Sequence, residues 1–261
     1  MESNKNHLAK VKIFHDHEAE AYLRQRYRDD SCEGLAYVTR KYLVLNMTRE
    51  LSGKVLDLGC GPGILTSQLV EQGLEPYSID LSLEMIKKAK NNVRYASPQI
   101  AGKFLVCEAS NICFSSYTFD SVLCIGILYY IKDINIVIKE IKRTLKQDGI
   151  AILELNKIKY PFMYKTLLPL YRRIKAKYTG KNYDKMQFKG NIFSYKIFLS
   201  DIQKVGFCIK NIDYFDFRLP FIDVIFPNLS LKLGRFMFAH RDYVCFKLLA
   251  RGMIIVIKKV E

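Results

Sequence analysis

Residues 54–88, KVLDLGCGPGILTSQLVEQGLEPYSIDLSLEMIKK, decide the fold. KVLDLG (54–59) is a short apolar run closed by glycine, the pattern of a buried parallel strand. ILTSQLVEQG (64–73) has helical spacing, with Gly73 placed to end the helix. EPYSID (75–80) reads as a second strand. SLEMIKKAKNN (82–92) reads as a second helix, with Ser82 as N-cap and lysines in the last turn, where they suit the helix dipole. Strands alternating with helices over short connections argue for a parallel sheet covered on both faces.

The pattern continues outward. KFLVCE (103–108) and FDSVLCIG (119–126) are a third and a fourth strand, INIVIKEIKRTLK (134–146) is an amphipathic helix, and IAILELN (150–156) follows the turn QDG. Upstream, residues 8–50 read as helical, with Gly34 as their one interruption. Downstream the alternation breaks. Residues 160–188 are basic and aromatic, and Pro161, Pro169 and Gly180 interrupt them. A helix is expected over 194–207, a strand over 208–215, an irregular stretch over 217–248 containing Pro220 and Pro227, and a closing strand over 251–260. The last two strands should form an antiparallel pair at the edge of the sheet. This divides the chain into a helical cap (1–50), an α/β core (51–156), an insertion (157–193) and a C-terminal part (194–261) with a second insertion (217–248).

Composition sets the boundaries of function. The 261 residues are 49% hydrophobic and 26% charged, which excludes a mainly disordered chain. No run of 18 apolar residues exists to span a membrane. MESNKNHLAK lacks the apolar core of a secretory signal, and a cytoplasmic location is expected. The seven cysteines (32, 60, 107, 113, 124, 208 and 245) form no C-x-x-C pair and suggest no zinc site, so no metal is expected. They read as reduced and mostly buried. The net charge of +15 is lopsided: residues 1–150 carry +2, and residues 151–261 carry +13. Within 157–189 ten basic side chains face the single acid Asp184. That asymmetry points to an anionic partner: a membrane surface, a nucleic acid or an acidic substrate.

The glycine loop narrows the choice. Gly59, Gly61 and Gly63 are spaced G-x-G-x-G, so the backbone can turn tightly and approach a ligand. A dinucleotide loop would need G-x-G-x-x-G, and position 64 is Ile. Asp57, at the carboxyl end of the first strand, suits a cationic amino group and not a pyrophosphate. Asp80 ends the second strand, where a carboxylate can accept the hydroxyls of a ribose. Glu108 ends the third. Three such strand tips would line one crevice, with places for an amino acid moiety, a ribose and a base. S-adenosylmethionine has those parts in that order.

VLDLGCGPG (55–63), IDLSLEMI (79–86), CEASNICFSSYTFD (107–120) and FDSVLCIGILYYIKD (119–133) resemble, in order and spacing, the motifs of the class I S-adenosylmethionine-dependent methyltransferases. The similarity covers roughly 14–156 well and the last strands more loosely. It implies a three-layer, doubly wound, seven-stranded and mostly parallel sheet. It also implies a donor site of Asp57, Gly59, Cys60, Gly61, Gly63, Asp80, Leu81, Met85, Glu108, Ala109 and Ile125, with Glu108 and Ala109 at the adenine edge. The nearest branch acts on quinones, isoprenoids, secondary metabolites and glycan precursors.

In that branch the loop after the fourth strand faces the methyl group and usually ends in two histidines. Here the positions hold Tyr129 and Tyr130, which could orient an acceptor hydroxyl or pack under the cap. His15 and His17, beside Ala19 and Tyr22 in a stretch resembling the family's N-terminal cap, are alternative proton acceptors; they could equally be a polar helix N-terminus with Asp16 as its cap. His240 is a weaker candidate in the second insertion. Segment 162–178, apolar residues followed by a cluster of positive charge, could lie on an anionic membrane or contact phosphates. The expectation is methyl transfer to an oxygen or carbon of a small or lipid-like, anionic acceptor. The alternatives are an RNA methyltransferase using the basic region, and a non-catalytic binding protein. The loop after the fourth strand lacks the Asn/Asp-Pro-Pro-Tyr sequence of many base-amine methyltransferases, which makes nucleic acid the weaker reading.

Overall fold

The computed structural model describes residues 2–94, 103–156, 170–171, 173–177, 195–219 and 221–260. Seven strands form one sheet: β1 (Lys54–Leu58), β2 (Glu75–Asp80), β3 (Phe104–Val106), β4 (Phe119–Cys124), β5 (Leu145–Asn156), β6 (Phe207–Phe215) and β7 (Gly252–Lys259). Their order is β3-β2-β1-β4-β5-β7-β6. All pairings are parallel except those of β7, which runs antiparallel to both β5 and β6. The antiparallel pair expected at the sheet edge is therefore present, with β7 inside and β6 outermost.

The sheet is filled from both sides because successive strand residues point to opposite faces. Leu56 and Leu58, Ala151, Leu153 and Leu155, and Met253, Ile255 and Ile257 join one core, which α6 (Ile134–Thr144) and α7 (Tyr195–Val205) cover with Val137, Ile138, Ile141, Phe198 and Ile202. The intervening residues Val55, Ile152 and Ile254 join the other core, covered by Leu43 and Val44 of α3 (Cys32–Thr48) and Leu69 of α4 (Ile64–Glu71). Each large aliphatic side chain so buried stabilises the fold by about 1.5–3 kcal/mol. α5 (Leu83–Arg94) closes the β2–β3 end with Ile86, Ala89 and Val93.

Two expectations need correction. The run 8–50 is three helices, α1 (Glu2–Glu18), α2 (Tyr22–Arg26) and α3. α3 restarts at Ser31, whose hydroxyl caps it by accepting the Gly34 amide at 3.0 Å. Gly34 is thus a first-turn residue and no interruption; a Cβ there would strike the Arg28 carbonyl. The stretch 217–248 is also more regular than its prolines suggest. It holds α8 (Ile222–Ile225), α9 (Pro227–Ala239) and α10 (Val244–Leu249). Pro227 opens α9, in the first turn, where a missing N–H costs nothing. In the first insertion, 170–171 and 173–177 are helical; the rest of the basic segment, and so most of 162–178, lies outside the described residues. Among the described residues no helix is long and apolar enough to cross a membrane.

Candidate active site

The glycine loop is tied to the tip of β2. The amides of Gly59 and Cys60 both donate to the Ile79 carbonyl, at 2.8 and 3.0 Å. Asp80 then reaches back: its Oδ2 accepts the Gly61 amide at 2.9 Å and its Oδ1 accepts the Ser82 amide at 2.8 Å. Burial pushes the Asp80 carboxyl upward, and the amides of Ser82, Gly61 and Leu81 oppose that shift. Acceptor capacity remains on its outer face. In front of the loop lies a cavity of about 90 Å³, walled by Gly59, Gly61, Asp80, Leu81, Met85, Glu108, Ala109 and Ile125 among others. A Cβ placed on Gly61 meets no atom within 4 Å, so its backbone fronts open space.

Three residues expected at this cavity lie behind it. Asp57 is buried, and its Oδ2 accepts the Thr66 hydroxyl at 2.7 Å. Burial pushes its carboxyl up to about 6 against the pull of that hydrogen bond, with the Asp80 charge adding to the rise. Its side chain braces the loop from below and does not face the cavity, so the expected contact with an amino group is not one the cavity offers. Cys60 packs with Ile86, Ala89, Val93 and Phe104. Gly63 sits in the left-handed region at the start of α4, with Ala89 3.0 Å from where its Cβ would be. These two serve packing.

The cavity is roofed by α1 through Leu8, Val11 and His15. The helix is held on both sides. His7 Nε2 is 2.8 Å from the Tyr130 carbonyl. Asp16 accepts the Ser82 hydroxyl at 2.5 Å and the Glu84 amide at 3.4 Å, so it caps α5 and not its own helix. His15 meets Tyr130 edge-on, 4.8 Å between ring centres. Burial, assisted by the Arg26 charge, lowers its pKa to about 4, so it is neutral near pH 7. Residues 15–17 form the last turn of α1, not a helix start. His17 lines neither cavity of the site, and His240 lies at the end of α9, bonded to the Phe236 carbonyl at 2.9 Å.

A second cavity, of about 350 Å³, shares Gly126 and Tyr130 as a common wall with the first. Tyr129 faces this second cavity, and Tyr130 borders both; burial pushes the Tyr130 phenol up to about 12. Its other walls are polar. Arg40 Nη1 donates to Glu154 Oε2 at 3.0 Å, while its guanidinium stacks 4.6 Å from the Tyr37 ring centre. Burial raises the Glu154 carboxyl, opposed by Arg40. Arg218 binds Asp216 through two hydrogen bonds of 2.6 Å. Sequence reasoning missed these four residues. Two signals were present: Arg40 stands on the buried face of an amphipathic helix among Ala36, Leu43 and Val44, and Glu154 stands within the apolar run IAILELN.

The comparisons with known proteins agree on the donor half. Residues 56–153 match the family described as a methyltransferase domain. That stretch, which runs from β1 into β5, is similar to the S-adenosylmethionine-dependent methyltransferases. Among curated relatives of this chain, YqeM of Bacillus subtilis, a candidate methyltransferase, is 36% identical over 40% of it. The ubiquinone biosynthesis O-methyltransferase of Xanthomonas oryzae pv. oryzae is 30% identical over 38% of this chain. The chain spans 42% of the length of each of these relatives. A solved S-adenosylmethionine-dependent methyltransferase from Thermotoga maritima superposes with a TM-score of 0.59 at 17% identity, covering 94% of this chain and 97% of that one. The last likeness is one of fold.

The walls of the first cavity fit S-adenosylmethionine. The open space before Gly61 admits the amino acid part close to backbone, Asp80 retains acceptor capacity for ribose hydroxyls, and Leu81, Met85 and Ile125 give apolar walls for a base. Among the described residues no group of three or more His, Cys, Asp or Glu is placed to hold a metal ion. Of the cysteines, Cys60 and Cys124 are buried, whereas Cys113 and Cys245 are exposed, so burial is less general than the sequence suggested.

Proposed function

We propose that the protein transfers a methyl group from S-adenosylmethionine to an oxygen or carbon of a small polar molecule held in the second cavity. The observation that carries this reading is the shared wall: the donor-type cavity and the polar cavity meet at Gly126 and Tyr130. S-adenosylmethionine, when bound, supplies a methyl group activated by the positive sulfur. The protein then has mainly to position the acceptor, because a well-aligned approach removes much of the barrier. Tyr129 and Tyr130 flank the junction and orient the acceptor. Glu154, whose carboxylate is hydrogen-bonded by the Gly126 backbone and held by Arg40, is the carboxylate nearest that wall able to receive an acceptor proton. His15 shapes the donor cavity from the cap, because its lowered pKa makes it a weak proton acceptor at neutral pH.

A cavity of this volume suits a small molecule and not a duplex or a folded RNA. The O-methyltransferase relative is consistent with a hydroxyl acceptor. The test is transfer from methyl-labelled donor into a host extract, followed by separation into organic-soluble, aqueous and RNA fractions. Label in a small organic or aqueous product supports the reading. Label confined to RNA contradicts it and favours the RNA alternative.

A further inference from the structure

Arg218 stands where β6 has just ended. Asp216 adopts the left-handed conformation there (φ 59°), which an aspartate tolerates better than most residues, and this turns the chain back over the sheet. The Arg251 amide donates to the Asp216 carbonyl at 3.0 Å and pins the turn to the start of β7. Asp216 then fixes the arginine side chain. Nε donates to Oδ1 and Nη2 to Oδ2, both at 2.6 Å, so the side-on edge of the guanidinium is fully engaged.

A guanidinium has a second edge, formed by Nη1 and Nη2, of the same bidentate geometry. In Arg218 that end-on edge has no partner among the described residues, and the side chain lines the second cavity while remaining 24% exposed. Glu33, exposed on a wall of the same cavity, adds a negative charge near Arg218 but forms no ion pair with it. Arg40, the other arginine of the cavity, differs: it is more deeply buried and bonds to Glu154 and the Tyr27 hydroxyl.

We propose that Arg218 is the receptor for a carboxylate carried by the acceptor, and that Asp216 holds it ready to bind. This rests on the proposed use of the second cavity for the acceptor. A carboxylate presents two coplanar oxygens that match the end-on edge bidentately, and a fork already immobilised loses little freedom on binding. Arg218 is in this sense a specificity-determining residue: it selects acceptors by charge and shape and takes no part in the transfer.

The test uses the full chain saturated with S-adenosylhomocysteine, with benzoate and benzamide as probes of equal shape and different charge, and binding followed by ligand-observed NMR. Wild type should bind benzoate at least 10-fold more tightly than benzamide. Arg218→Gln should erase the preference. Because that change leaves Asp216 without its partner, Arg218→Lys is the companion variant. It keeps the ion pair and the melting temperature but lacks the second edge, and should lose most of the preference. Phenylphosphonate distinguishes a general oxyanion site: binding tighter than benzoate would replace the carboxylate assignment with a phosphate-type one. Equal binding of benzoate and benzamide by wild type, or a preference that survives in both variants, overturns the proposal. S-adenosylhomocysteine titrated alone reads the donor site separately, so failure of the methyltransferase reading is seen independently of failure at Arg218.

Discussion

The carboxylate of Asp80 accepts the amide of Gly61 at 2.9 Å, so the tip of the second strand and the loop after the first are one hydrogen-bonded unit. The same Asp80 bonds the Ser82 amide, and Ser82 in turn is bonded to Asp16 of the cap. The first cavity is thus framed by a continuous set of polar contacts that runs from the glycine loop to α1. Disturbing one member should be felt at the others.

Gly59→Ala and Gly61→Ala should separate folding from binding. Both glycines have positive φ, which costs an alanine about 1–2 kcal/mol. A Cβ on Gly59 would also lie 2.1 Å from Ile127 Cγ2, forcing the loop that divides the two cavities to move, at a further cost of about 1–3 kcal/mol. The Gly61 Cβ meets only open cavity. Urea denaturation should therefore show the larger stability loss for Gly59→Ala, whereas Gly61→Ala stays folded and loses donor affinity. Equal stability losses would contradict this view of the loop.

Asp57→Asn should stabilise the protein at neutral pH. The folded-state pKa of about 6 lies above the unfolded value, so the native state holds the proton more tightly. That contribution is fully present below about pH 4 and is lost as pH rises through about 6. Its size is on the order of 3 kcal/mol. Asparagine can still accept the Thr66 hydroxyl and never ionises. Denaturation midpoints should favour the variant at pH 7.5 and converge with wild type at pH 4. A variant less stable than wild type at pH 7.5 would mean that the charge itself supports the loop.

His15 should act in the opposite direction. Its folded-state pKa of about 4 lies below the unfolded value near 6.5, so acid favours the unfolded or undocked form. The stabilising contribution is present above pH 6.5 and fades as pH falls toward 4. Limited proteolysis within α1 should therefore accelerate between pH 7 and pH 5 in wild type, and less so in His15→Gln. Identical pH dependence in the two proteins would show that His15 does not govern docking of the cap.

The Arg40–Glu154 pair sets a further expectation. Both side chains are about nine-tenths buried. Arg40→Met strands the Glu154 carboxylate and should cost about 3–5 kcal/mol, most of it recovered in the double variant Arg40→Met/Glu154→Gln. Calorimetric melting of the three proteins measures this directly. If the single and double variants are equally unstable, packing of the arginine and not charge compensation is its main contribution.

The sheet and the crevice at its strand tips were legible in the sequence because their causes are local. Apolar runs of strand length, glycines at fixed spacing and an acid at each strand tip mark the parallel strands and a crevice at their ends, and eight of the eleven residues named from the sequence line the first cavity. The direction of the Asp57 carboxylate was not legible, because spacing places a residue at a strand tip but does not say on which side of the loop its side chain emerges. Thr66, in the first turn of α4, fixes it through its hydroxyl. The second cavity was largely illegible. Arg40, Glu154, Asp216 and Arg218 come from α3, β5 and the turn after β6, and only the closed sheet brings them together. Among the described residues of the basic C-terminal part, Arg218 is the basic side chain that lines these cavities.

The most direct measurement is isothermal titration of S-adenosylmethionine into the wild-type protein and into Asp80→Ala. Wild type should show one donor site per chain, and Asp80→Ala at least a 100-fold loss of affinity with the fold retained by circular dichroism. About 3 kcal/mol is the scale expected for a charged hydrogen-bond partner that also orders the Gly61 loop. A wild-type protein that gives no binding heat, or an Asp80→Ala protein that binds as tightly as wild type, would contradict it.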